Sequence, residues 1–321
     1  MFSIRKKFVV LAVALMIIGL LIFTAAACSA GWDFTNFGTA NHETNTYDIS
    51  EAFDCISIKT DTSDIDFLPS EDGKIKVVCY EKENMKHSVL VSDGTLKIGV
   101  VDTRKWYEHI SWYSSPKITV YLPEGEYSSL VIEEDTGDIE VSNKLKFESI
   151  DIKASTGDVK LYASAGSVKI KTSTGGIRVE NINANSIDLS VSTGNVTVVG
   201  AVCEGDLKIT VSTGKSNLTD TKCKNLISAG DTGDIKLKGV VASEKFSIER
   251  DTGDVKFDGC DAAEIYVTTD TGDVEGTFLT DKVFLAFSDT GDIDVPKNVT
   301  GGRCEITTDT GDIELSVKPK S

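Results

Sequence analysis

Residues 246–257 read FSIERDTGDVKF, and residues 265–276 read IYVTTDTGDVEG. Aligned on Thr-Gly-Asp, the two stretches share an apolar residue seven before the glycine (Phe246, Ile265), another five before it (Ile248, Val267) and a third two after it (Val255, Val274). Apolar residues at every second position mark a strand with one buried face. The glycine between the two alternating runs marks a corner that needs a positive φ.

The same unit recurs along the chain. Its corner glycines are Gly137, Gly157, Gly175, Gly194, Gly214, Gly233, Gly253, Gly272, Gly291 and Gly311, at gaps of 20, 18, 19, 20, 19, 20, 19, 19 and 20 residues. Two after them stand Ile139, Val159, Ile177, Val196, Ser216, Ile235, Val255, Val274, Ile293 and Ile313. The next residue is polar in every copy, from Glu140 to Glu314. A fixed period this short leaves no room for helical crossovers and means stacked supersecondary units. The expected fold is therefore all-β, a parallel β-solenoid of about ten coils of 18–20 residues. At one rung per 4.8 Å it would span roughly 48 Å. Residues 126–321 form its regular part. Residues 46–125 alternate less regularly, and Asp61-Thr62-Ser63-Asp64-Ile65 is a degenerate corner, so this region is expected to begin the stack and cap it.

Two local departures stand out. Ser216 and Ser228 occupy apolar positions in the coil Ser212–Gly230, which predicts a distortion or weak hinge there. The last strand is followed by Lys318, Pro319 and Lys320, residues that suit a blocked terminal edge.

The chain has 321 residues, 33 Lys+Arg and 50 Asp+Glu, a net charge of −17. Such an acidic surface excludes a nucleic-acid-binding class, which needs a basic face. Arg5, Lys6 and Lys7 precede an uninterrupted apolar run of 20 residues, Phe8 to Ala27. That length fits a single membrane span, with the basic flank inside and the rest of the chain outside the cytoplasmic membrane. The expected organisation is a cytoplasmic stub (1–7), a signal anchor (8–27), a juxtamembrane linker (28–45), the irregular β region and the repeats. A lipoprotein anchor at Cys28, or a signal cleaved after Ala27, are the competing readings; all three place the body outside.

The basic start and apolar run, then GWDF (31–34), ETNTYDI (43–49) and KITVYLPEGEY (117–127) leading into STGD/DTGD coils, resemble a bacterial cell-envelope family labelled "putative adhesin", a domain of unknown function that includes LiaG-like proteins. The resemblance implies a surface β-solenoid and no catalytic residues.

Asp-Thr-Gly also opens the aspartic-protease motif, but here it repeats six times at solenoid spacing and is followed by Asp. The carboxylates of Asp231, Asp251, Asp270, Asp289 and Asp309 should stack in one column, with Asp234, Asp254, Asp273, Asp292 and Asp312 beside it. Neighbours at 4.8 Å repel by about 0.9 kcal/mol in water. Two outcomes are open: weak Ca²⁺ binding that relieves the repulsion, or capping of turn amides by each Asp. No other cofactor is expected. Trp106, Tyr107, Trp112 and Tyr113 cluster in eight residues and are read either as a partner-binding patch or as a cover for the solenoid's open end. The seven cysteines form no CxxC motif and are read as small apolar fillers; His42, His87 and His109 are read as surface or loop residues. Three functional classes follow: a non-catalytic surface scaffold for an envelope polymer or membrane-protein partner, an accessory or sensor of an envelope-stress system, and a polysaccharide-acting enzyme.

Overall fold

The computed structural model describes residues 12, 14–22, 24, 42–82, 85–102 and 116–318. Residues 14–22 are helical. No helix among the described residues is long and apolar enough to cross a membrane. The expected span over 8–27 lies partly outside the described residues, and the helical residues 14–22 are by themselves too few to cross a membrane.

The remaining described residues form a parallel β-solenoid. Long strands such as Leu145–Thr156, Ser164–Thr174 and Asn183–Thr193 stack in register, Ile152 on Ile170 on Leu189. Short strands such as Val159–Leu161, Ile177–Glu180 and Val196–Val199 build a second ladder beyond the corner, Val159 on Ile177 on Val196. Inward residues of both ladders make one continuous core, with Ile152, Ile170, Leu189, Val141 and Val198 fully buried. Outward rungs carry opposite charges on successive coils: Lys59 and Lys153 both reach Glu133, at 3.1 and 3.4 Å, and Lys256 reaches Glu275 at 2.6 Å. These pairs are exposed and contribute little each, but they cancel repulsion between like rungs.

The corner glycines stack directly on one another. A Cβ on Gly194 would lie 1.9 Å from the carbonyl oxygen of Gly175, and one on Gly214 would lie 1.9 Å from that of Gly194. Positive φ and the absence of a Cβ are thus both required: the coil spacing leaves no volume for a side chain here.

Both ends of the stack depart from chain order. The degenerate Ser63 corner does belong to the solenoid: strand Cys55–Thr62 pairs with Gly125–Thr136, and Asp64–Pro69 pairs with Ile139–Val141. Outside it lies a later coil, Thr95–Asp102 with Lys117–Leu122. Strands Ile75–Lys82 and Met85–Ser92 then add antiparallel, against Lys117–Leu122 and Thr95–Asp102 respectively. At the other end the final coil (Gly302–Thr310, Ile313–Val317) inserts between the Gly272 coil and the Gly291 coil. Gly311 stacks on Gly272, and Gly291 on Gly311.

This corrects the expectation that the chain's last strand is the stack's edge. The edge is strand Lys282–Thr290, where Leu285 and Phe287 are 49% and 56% exposed. Pro296 supplies the reason: proline cannot donate to a ladder, and the short strand before it spans only Ile293–Asp294. The Gly311 coil offers Cys304, Ile306, Ile313 and Leu315 as a complete apolar rung, and it takes the interior place.

Candidate functional site

Strand Ile75–Lys82 turns Val77, Cys79 and Glu81 inward by its period of two, and strand Met85–Ser92 turns Met85 and His87 inward. The two strands meet through a single bridge, Lys82 with Met85, so Glu81 and His87 come face to face. Glu81 and Ser63 are 0% exposed and His87 is 3% exposed. The Glu81 Oε2 lies 2.7 Å from His87 Nδ1 and accepts from the His87 amide at 2.5 Å. Glu81 Oε1 accepts from Asn45 Nδ2 at 2.6 Å. On the far side of the ring, His87 Nε2 lies 3.1 Å from Ser63 Oγ. Ser63 donates its hydroxyl proton to the Thr62 carbonyl at 2.7 Å and accepts from Thr60 Oγ1 at 3.1 Å. Cys79 completes the group: donor atoms of Cys79, Glu81 and His87 all lie within 4.8 Å of one another.

The order Ser63–His87–Glu81 matches a hydrolase relay in its contacts. It is sealed from solvent, so no substrate reaches the serine in this structure. Next to it, Glu134 Oε1 accepts from the amides of Ser63 (3.0 Å) and Thr136 (3.2 Å), while Oε2 is buried with no partner. Burial pushes the Glu134 carboxyl up from the ordinary 4.5 to about 8.

His87 is therefore no surface residue. Its signal in the sequence was the alternation Cys79-x-Glu81 on one strand and Met85-x-His87 on the next, which places all four inward. Ser63 was legible as a departure from glycine, but its partner was not.

A second polar cluster explains the Ser212–Gly230 coil. Arg250 points into the core, 2% exposed, and donates through Nη2 to Ser228 Oγ at 2.8 Å and Ser216 Oγ at 3.3 Å. Gly230 leaves the space: a Cβ there would sit 2.4 Å from Arg250 Nη1. Burial lowers the Arg250 guanidinium from 12.5 to about 10, and its Nε has no partner. The two serines are receptors for a buried cation, and both ladders run through this coil with partners on either side. The one irregularity there is a register shift between Cys223 and Asn225.

The aspartate columns divide by role. In the inner one, four of the five carboxylates accept from the amide of the following coil: Asp254 N donates to Asp234 Oδ1 (3.4 Å), Asp273 N to Asp254 (3.2 Å), Asp312 N to Asp273 (2.9 Å) and Asp292 N to Asp312 (2.8 Å). The capping runs between coils rather than within one turn. Lys215 reaches Asp234 at 3.0 Å and holds its carboxyl below the usual range. Asp231, Asp251, Asp270, Asp289 and Asp309 are exposed. Among the described residues, the metal-sized cluster of donor atoms is at Cys79, Glu81 and His87, not along these columns. Trp106, Tyr107, Trp112 and Tyr113 lie outside the described residues. The six described cysteines are free, and burial pushes Cys223 and Cys304 up to about 12. A shallow groove of about 200 Å³ crosses the coils between Glu126 and Glu204.

The fold and repeat place the chain in a family. Residues 53–211 and 201–321 match the Toastrack DUF4097 family, and the chain belongs to it. Comparison with curated proteins gives no match. Among solved structures, it is similar to a "putative adhesin" from Bacteroides fragilis (14% identity, TM-score 0.38) and a "putative lipid binding protein" from Parabacteroides distasonis (15%, 0.49). A further "putative adhesin" from Parabacteroides distasonis is 12% identical with a TM-score of 0.49. Each similarity covers 87% of this chain and 98% of the other.

Proposed function

We propose that the protein is a non-catalytic, extracytoplasmic β-solenoid scaffold, tethered at the cytoplasmic membrane by residues 8–27, that presents its faces to an envelope polymer or membrane-protein partner. The observation that carries this is the helix at 14–22. Leu15, Met16, Ile17, Ile18, Leu20, Leu21 and Ile22 are each 52–67% exposed. A helix apolar on every side is stable in lipid rather than in water. The solenoid's long, flat, charge-alternating ladders suit extended contact, and its groove is shallow for an enzyme cleft.

The test is fractionation of cells producing the full chain, with alkaline extraction and external protease. Recovery in the membrane pellet, with the solenoid accessible only from outside, supports the reading. Release into the soluble fraction overturns the tether, and turnover of any glycan by the purified protein overturns the non-catalytic assignment.

A further inference from the structure

We propose that Cys79, Glu81 and His87 form a binding site for a single Zn²⁺ ion beneath the N-terminal hairpin. This goes beyond the scaffold reading and does not depend on it.

The geometry of the cluster leads there. His87 Nδ1 lies 2.7 Å from Glu81 Oε2, and its Nε2 lies 3.1 Å from Ser63 Oγ, which also contacts the Thr62 carbonyl and Thr60 Oγ1. With Nε2 held by Ser63, Nδ1 faces the carboxylate across a gap that either a proton or a metal ion bridges. The hydrogen bond from the second ring nitrogen to a fixed oxygen is the arrangement that orients metal-binding histidines. Asn45 does the same for the carboxylate.

Cys79 makes the ion the better reading of the site. Its sulfur adds nothing to a hydrogen bond between His87 and Glu81, yet it lies within 4.8 Å of both partners. Zinc bonded at 2.0–2.3 Å places its donor atoms roughly 3.5 Å apart, so the three groups need to shift by about 1 Å or less. The sulfur, nitrogen and carboxylate set favours Zn²⁺ over Ca²⁺ or Mg²⁺. The exchange balances: Zn²⁺ enters, the thiol proton leaves to solvent, and a proton on Nδ1 leaves or moves to Nε2, so that a thiolate, a carboxylate and a neutral imidazole bind the ion. Three protein donors leave a fourth position, and Asn45 is the adjacent group able to fill it.

The test uses the purified full chain, stripped with EDTA and titrated separately with Zn²⁺ and Co²⁺. One equivalent of Co²⁺ should bring a sulfur-to-cobalt charge-transfer band, and Zn²⁺ should abolish it. Saturating Zn²⁺ should raise Tm by about 5 °C or more. Cys79→Ala keeps the ion pair and the fold but should lose the band; Cys223→Ala should keep it. Absence of the band and of any Zn²⁺-dependent melting shift in the unaltered protein would overturn the proposal, leaving a proton between His87 and Glu81. So would a band that survives Cys79→Ala.

Discussion

Two breaks in the repeat are built from serine. At the Ser63 corner a hydroxyl replaces the glycine of the other corners and meets His87 from outside the regular stack. In the Gly214 and Gly233 coils, Ser216 and Ser228 replace apolar residues and meet Arg250 from the next coil. The first break lies near the end of the stack, where a hairpin can bring in new chemistry: a thiol, a carboxylate and an imidazole. The second lies inside, where neighbouring coils sit one rung apart and the repeat must complement itself. In these two places a departure from the consensus reports a long side chain arriving from elsewhere in the stack.

The largest expected effect tests the inner break. Ser228→Ile alone should cost about 3–5 kcal/mol, because it removes a hydrogen bond from a buried guanidinium and fills the space beside it. Restoring the consensus throughout, with Ser216→Ile, Ser228→Ile and Arg250→Val, should recover that loss and add up to about 1–4 kcal/mol over the natural chain. Urea denaturation measures both. A triple variant no better than the single one would mean that Arg250 is not what the serines serve.

The outer break is sharpened by pH. Glu134 binds its proton more tightly in the folded chain (about 8) than in the unfolded one (4.5). Its stabilising contribution is full below pH 4.5 and is lost as pH rises through about 8. Stability should therefore decline across that window by several kcal/mol, and Glu134→Gln should flatten the decline. An unchanged profile in denaturant melts at stepped pH would show that another group carries the slope.

A smaller effect is expected from Ser63→Gly. It restores the corner consensus, yet it should destabilise by about 1–2 kcal/mol, because His87 Nε2 loses its hydrogen-bond partner. A gain in stability would refute the assigned contact. Smallest of all, Asp254→Ala should cost about 1 kcal/mol through the lost bond from the Asp273 amide. We further propose that the exposed aspartates bind Ca²⁺ no more than weakly, so millimolar Ca²⁺ should move Tm by less than about 1 °C. A shift of several degrees would make the columns a genuine ion ladder.

The regular coils were readable because each strand's inward residues follow a period of two and each corner needs a glycine. Ile152, Ile170, Leu189 and Gly194 declare their places locally. The Zn²⁺ candidate was only half readable. Cys79 and Glu81 share a face by their spacing, but His87 lies on the next strand, and Ser63 is brought to it only by the stacking of the coil Thr95–Asp102 with Lys117–Leu122. Arg250 sits at an inward position in the repeat, and its acceptors lie 22 and 34 residues away.

Local periodicity thus settled the strand type, the coil count and the stacked glycine corner, since each depends on residues within one turn of the solenoid. The order of coils at the two ends, the burial of His87 and the role of Ser216 and Ser228 rest on contacts between coils. Apolar rungs are nearly interchangeable along the chain, so many stacking orders satisfy the pattern equally well. Pro296 and the completeness of each rung choose among those orders only once the coils are packed together.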